Sequence, residues 1–184
     1  RTKQSSTKSH MRNSVFKNFF NSYLSKKPND NEIVKLLLKI EKNPSSCSLM
    51  YQLACIYLET EKLEEAFNLF EKIRKLDEDF MKEKIEENIG DVYFKQKNLL
   101  MAKEQFLVCS KYLTNKIDKL SDSKLNNDNI EDVIKDKKAK AFQSDLEMIN
   151  IKLGRSFEDL KQYDIAEEYY NKALKINTHS IWAK

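Results

Sequence analysis

The chain has 184 residues, 40% apolar and 34% charged, with only 2 Gly and 2 Pro. Globular proteins average about 25% charged residues, so this composition supports a thin core under a large solvated surface. So little Gly and Pro argues against turn-rich all-β and dinucleotide-binding folds. The net charge of +4 comes from residues 1–31, with seven Lys/Arg and one Asp; the other 153 carry 26 basic and 28 acidic side chains, so the body lacks the basic stripe that nucleic-acid binding uses.

Residues 1–13 are polar, Ser/Thr/Lys-rich and aperiodic, which predicts a disordered tail. Ser9-His10-Met11 resembles a cloning remnant, and part of residues 1–11 is expected to be vector-derived. Val15, Phe16, Phe19, Phe20, Tyr23 and Leu24 then recur at helical spacing up to a break at Pro28-Asn29-Asp30-Asn31. Ile33, Leu36, Leu37 and Ile40 predict a second amphipathic helix that stops at Asn43-Pro44. Residues 14–44 thus read as a degenerate N-terminal helical hairpin, with bulky Phe20 where a tight helix crossing needs a small residue.

From residue 45 onward the chain repeats itself. Leu53, Ala54, Tyr57, Ala66, Phe70 and Ile73 are followed by Ile89, Gly90, Tyr93, Ala102, Phe106 and Cys109, and then by Leu153, Gly154, Phe157, Ala166, Tyr170 and Ala173. The internal spacings are the same each time: +1, +3, +9, +4 and +3. Each set predicts two helices joined by a short turn, with the small residue and the later alanine at the crossing and the aromatics filling the wider space. One such hairpin cannot hide its apolar face alone, so neighbours must stack. The first two repeats lie 36 residues apart and the last two 64 apart. The excess predicts a low-complexity surface insertion around 117–140, with Leu113, Ile117 and Leu120 prolonging the helix before it and Ile130, Val133 and Ile134 adding a turn or two of helix.

The three sets resemble the tetratricopeptide repeat, whose pattern is Trp-x2-Leu-Gly-x2-Tyr, then Ala-x3-Phe, then Pro. Met50, Glu86 and Asn150 stand at the tryptophan position, and Glu78, Thr114 and Thr178 at the proline. The resemblance implies an all-α, right-handed solenoid of helical hairpins over 45–184, with three repeats at about 47–80, 83–116 and 147–180. Asn177–Trp182 reads as the start of a further first helix, so the natural array is expected to continue.

In this family the first helices line a concave groove that holds partner segments. The resemblance places Tyr51, Cys55, Lys84, Glu87, Asn88, Asp91, Lys95, Met148, Ile151, Lys152 and Arg155 there. An extended peptide with an acidic group near Lys152 and Arg155, and a basic or polar group near the middle repeat, would complement them. Chaperone-binding members clamp a C-terminal carboxylate with Lys and Asn of one repeat, Asn of the next, and Lys and Arg of the third. Here Tyr51, Cys55, Asn88, Met148 and Lys152 stand at those positions, so only Asn88 matches outright and Lys replaces Arg at the last.

Catalytic chemistry finds little footing. The only histidines, His10 and His179, have no nucleophile or metal partner near them, and Gly90 and Gly154 form no phosphate-cradling loop. The acidic pairs Glu64-Glu65, Glu86-Glu87 and Glu167-Glu168 are expected on exposed helix faces. Cys47, Cys55 and Cys109, at no ligand spacing, predict free thiols in a reducing compartment, cytoplasmic or nuclear, with Cys109 a small core residue. No apolar run reaches the roughly 18–20 residues of a membrane span. The expectation is a non-catalytic scaffold or adaptor without metal or cofactor, binding a partner protein or peptide in the groove or self-associating through the array ends. The alternatives are a regulatory repeat region of a larger enzyme and a carboxylate-clamp co-chaperone.

Overall fold

The computed structural model describes residues 30–121 and 130–177. The first helix of the expected N-terminal hairpin, the tail before it, the middle of the insertion and Trp182 lie outside the described residues. Those residues form seven helices and no strand: α1 (Asp30–Lys42), α2 (Cys47–Glu59), α3 (Leu63–Leu76), α4 (Lys82–Lys95), α5 (Leu99–Ser121), α6 (Ile130–Asp159) and α7 (Tyr163–Ile176). Each helix packs on the next in chain order, so the fold is an all-α array of stacked hairpins.

The turn inside each hairpin explains the recurring +9 spacing from aromatic to alanine. Tyr57, Tyr93 and Phe157 each offer the carbonyl that closes the first helix, accepting from the amides of Lys62, Asn98 and Gln162 at 2.8, 2.9 and 2.8 Å. The residues just before those donors, Glu61, Lys97 and Lys161, are left-handed at φ 61°, 64° and 61°. Their amides bond back to Leu58, Phe94 and Glu158. This is the Schellman helix ending, made three times without glycine. The second helix starts at once, with the amides of Ala66, Ala102 and Ala166 bonding to the carbonyls of Lys62, Asn98 and Gln162. The turn therefore fixes where each alanine falls, and all three alanines are buried.

The small residue in each first helix is needed for a reason not visible in the spacing. A Cβ built on Gly90 would lie 2.5 Å from Cε1 of Phe106, and one on Gly154 would lie 2.5 Å from Cε1 of Tyr170. In these two hairpins the aromatic ring of the second helix packs directly against the backbone of the first. Phe157 in turn stacks on Tyr169, with centroids 5.3 Å apart, rather than on Tyr170 of its own repeat set. Tyr93 meets Phe67 of the preceding hairpin at 5.4 Å.

The core is layered. Leu36 of α1 packs with Leu53 and Ile56 of α2. Met50, Ala54, Phe70 and Ile73 of α2 and α3 pack with Ile85, Ile89 and Val92 of α4. Ala102, Phe106, Cys109 and Leu113 of α5 pack with Ile149, Leu153, Phe157 and Ala166 of α6 and α7. Residues 130–140, which the sequence assigned to the insertion, are the opening turns of the 30-residue α6. Leu113, only 1% exposed, belongs to a layer that Phe142 and Leu146 border, so the elongated α5 and α6 continue the third layer past the hairpins.

Candidate functional site

The first helices α2, α4 and α6 are bonded to one another on one face, and that is where the expected groove residues meet. Asn88 Nδ2 of α4 donates to Tyr51 Oη of α2 at 3.3 Å. The Lys152 ammonium of α6 donates to Glu87 Oε1 and to Asp91 Oδ2 of α4, each at 2.7 Å. Lys84 of α4 bonds Asp145 Oδ1 of α6 at 2.8 Å and Glu87 Oε2 at 3.1 Å. Two lysines and three carboxylates thus form one chain of ion pairs between adjacent repeats. The other expected residues are spread out. Cys55 is half-buried on α2, Lys95 is exposed in the last turn of α4, and Met148 and Arg155 are exposed on α6. Ile151 is 3% exposed and has no surface to offer a partner.

This network corrects the expected charge pattern. Lys152 was expected to await an acidic group, but two carboxylates already hold it. Burial works against its charge, and Asp91 and Glu87 more than offset that, so its pKa lies above the ordinary lysine value. Lys84 shifts the same way for the same reasons, with Asp145 and Glu87 as its partners. Burial raises Glu87, but Lys152 and Lys84 together pull it below the ordinary carboxylate value. For Asp91 burial outweighs the pull of Lys152, and its pKa is raised. Burial also pushes Tyr51 up to about 12 and raises Cys55, so neither is an activated nucleophile.

Asp145 was missed by sequence reasoning because it lies just ahead of the third repeat as delimited there. Its place one turn before Met148 on the same helix face was the available signal. Glu86 was also misplaced. It is only 5% exposed, and its carboxylate accepts from Arg74 at 3.5 Å. The tryptophan position of the repeat is a core position whatever occupies it, as the buried Met50 and Asn150 also show. Cys109 is 1% exposed, and its thiol donates to the Glu83 carbonyl at 3.2 Å. All three cysteines are free thiols. No helix among the described residues is long and apolar enough to cross a membrane.

The tetratricopeptide-repeat family model matches residues 48–80, covering α2 and α3, and residues 149–179, covering the second half of α6 and α7. Two of the hairpins thus match the tetratricopeptide-repeat model. The α4–α5 hairpin between them keeps the same residue spacing, turn and ring-on-glycine packing. Among solved structures the chain is similar to two crystal structures of MamA, at 17% and 16% identity. These cover 81% and 90% of this chain and 88% and 91% of those chains, with TM-scores of 0.43 and 0.45. It is also similar to YrrB, described as a tetratricopeptide-repeat protein with an unusual peptide-binding site, at 15% identity over 98% of this chain and 96% of that one, with a TM-score of 0.42. These superpositions are loose, and no site is carried over from them. No curated protein matches the chain.

Proposed function

We propose that this protein is a non-catalytic interaction scaffold that holds an extended segment of a partner protein against the α2–α4–α6 face. The observation that carries the reading is the bonding of three first helices side by side, which presents one continuous polar surface instead of three separate helices. Asn88 spends one amide N–H on Tyr51. Its other N–H and its carbonyl oxygen face no partner among the described residues and suit the backbone of an extended segment. Met148, 40% exposed, adds an adaptable apolar contact.

The carboxylate-clamp reading has less support, because the lysine it would use is engaged by Glu87 and Asp91. Selection of binding peptides from a random displayed library, followed by titration of the best binder, tests the proposal. Asn88→Ala with Met148→Glu should weaken that binder about tenfold or more while circular dichroism is unchanged. Equal affinity for the two proteins would move the binding surface off this face.

A further inference from the structure

Glu86 and Asn150 share one register position, and both are buried at 5% exposure. The family pattern gives that position to tryptophan. A shorter polar side chain there opens a notch between successive second helices, and the array has two of them. The first, about 420 Å³, lies between α3, α4 and α5 and is closed electrostatically by its own charges. Arg74 pairs with Glu71 at 2.6 Å and Glu86 at 3.5 Å, and Lys82 pairs with Glu78 at 2.6 Å.

The second notch, about 390 Å³, lies at the equivalent place between α5, α6 and α7. Here Ser110 replaces Arg74, Thr114 replaces Glu78, Leu146 replaces Lys82 and Asn150 replaces Glu86, so the four charges at these positions are gone. New charge enters from α7 as Lys172 and Lys175, and no carboxylate lines the notch. Lys172 rests on the ring of Tyr169, 4.1 Å from its centroid. Lys175 has no ion-pair partner among the described residues, and the side chain of Asn150 makes no hydrogen bond among them. Asn150 lines the notch, and its amide atoms are not sealed off from solvent, so a bound ligand can reach them. The notch is also separate from the groove. Asn150 lies two residues from both Met148 and Lys152, about 200° around α6 from each.

We infer that the second notch binds an oxyanion, the carboxylate or phosphate of an acidic or phosphorylated side chain on a protein partner. Its charge of two lysines attracts the anion, and the Asn150 amide and Ser110 hydroxyl donate to its oxygens. The test is a titration of the ¹⁵N-labelled full chain with phosphoserine and with N-acetylglutamate, against sodium chloride at matched ionic strength. Saturable shifts are expected at the Asn150 side-chain amide and at Ser110, with Arg74 and Glu86 unmoved. Lys172→Ala with Lys175→Ala should weaken the response about tenfold, while Asn88→Ala in the groove leaves it intact. Saturation by phosphoserine alone assigns the site to phosphorylated partners, and by N-acetylglutamate alone to acidic ones; either outcome, or both together, supports it. Shifts that chloride reproduces, shifts that survive the double lysine variant, or no shift at Asn150 would each overturn it and leave the notch filled by water.

Discussion

Lys152 is the side chain on which the α2–α4–α6 face depends most. Its ammonium lies 2.7 Å from two separate carboxylates on the neighbouring repeat. Lys152→Met would leave Glu87 and Asp91 half-buried and facing each other, with only Lys84 beside Glu87 and the more distant Lys95 near Asp91 to compensate. Removing one member of a buried ion pair leaves the others uncompensated, so the expected loss is about 2–4 kcal/mol of unfolding free energy. Urea unfolding measures it, and adding Glu87→Gln should recover part of the loss if the cause is charge rather than packing. The same residues set the response to alkali. Lys152, Lys84 and Tyr51 all hold their protons more tightly when folded. Tyr51 ionises near pH 10 when unfolded and at about 12 when folded. Groups with raised folded pKa values contribute stability that is complete below their unfolded pKa and lost as pH climbs to the folded one. The urea midpoint should therefore begin to fall at about pH 8.5, where Cys55 and Cys109 ionise only in the unfolded chain, and fall more steeply from about pH 10 upward, with a shallower upper fall in Tyr51→Phe.

At the scale of the helical elements, the two glycines make a matched experiment. Alanine at Gly90 would push into Phe106, which is completely buried and has nowhere to go. At Gly154 it would push into Tyr170, which is half-buried and whose hydroxyl only bonds the exposed Glu158. Overpacking costs about 1–3 kcal/mol, against a helix-propensity gain of about 1 kcal/mol for replacing glycine. Gly90→Ala should lower the melting temperature, and Gly154→Ala should leave it nearly unchanged. Equal effects would mean that the two rings are equally confined. The helices themselves were legible in the sequence because a turn of fixed length locks aromatic and alanine nine residues apart, and a pattern set by local geometry survives in one dimension. The partners of Phe157 and Glu86 were not, because the choice between Tyr169 and Tyr170, or between a buried and an exposed acid, turns on one step of helix rotation, about 100°. The length of α6 was hidden for another reason. Its first half is so rich in Lys and Asp that it reads as low complexity, yet from Ile130 to Lys152 it contains no Gly or Pro to stop a helix. The groove charges were individually placed on the right helices, but their mutual neutralisation depends on how adjacent repeats are set beside each other, which no single repeat encodes.

For the molecule as a whole, stability comes from layers that touch only their neighbours, as in other stacked-repeat proteins. The prolonged ends of α5 and α6 contribute to this only near the hairpins, through Leu113, Phe142 and Leu146. Farther out, Val133 and Ile134 are 52% and 46% exposed, and the Lys140–Asp136 pair is open to solvent. Replacing residues 121–138 by a short glycine-serine link should keep unfolding cooperative and move the melting temperature by no more than about 4 °C. A larger drop would show that this region packs on the array. The two seams along the α2–α4–α6 face also differ in kind. Between α2 and α4 the side-chain hydrogen bond is neutral, Asn88 to Tyr51, whereas α4 and α6 are joined by three ion pairs. Added salt weakens the second kind and spares the first. The array is therefore a spring of uneven stiffness, firm between its second and third hairpins at low ionic strength and softening there first as salt rises, so its curvature follows the ionic strength of its surroundings.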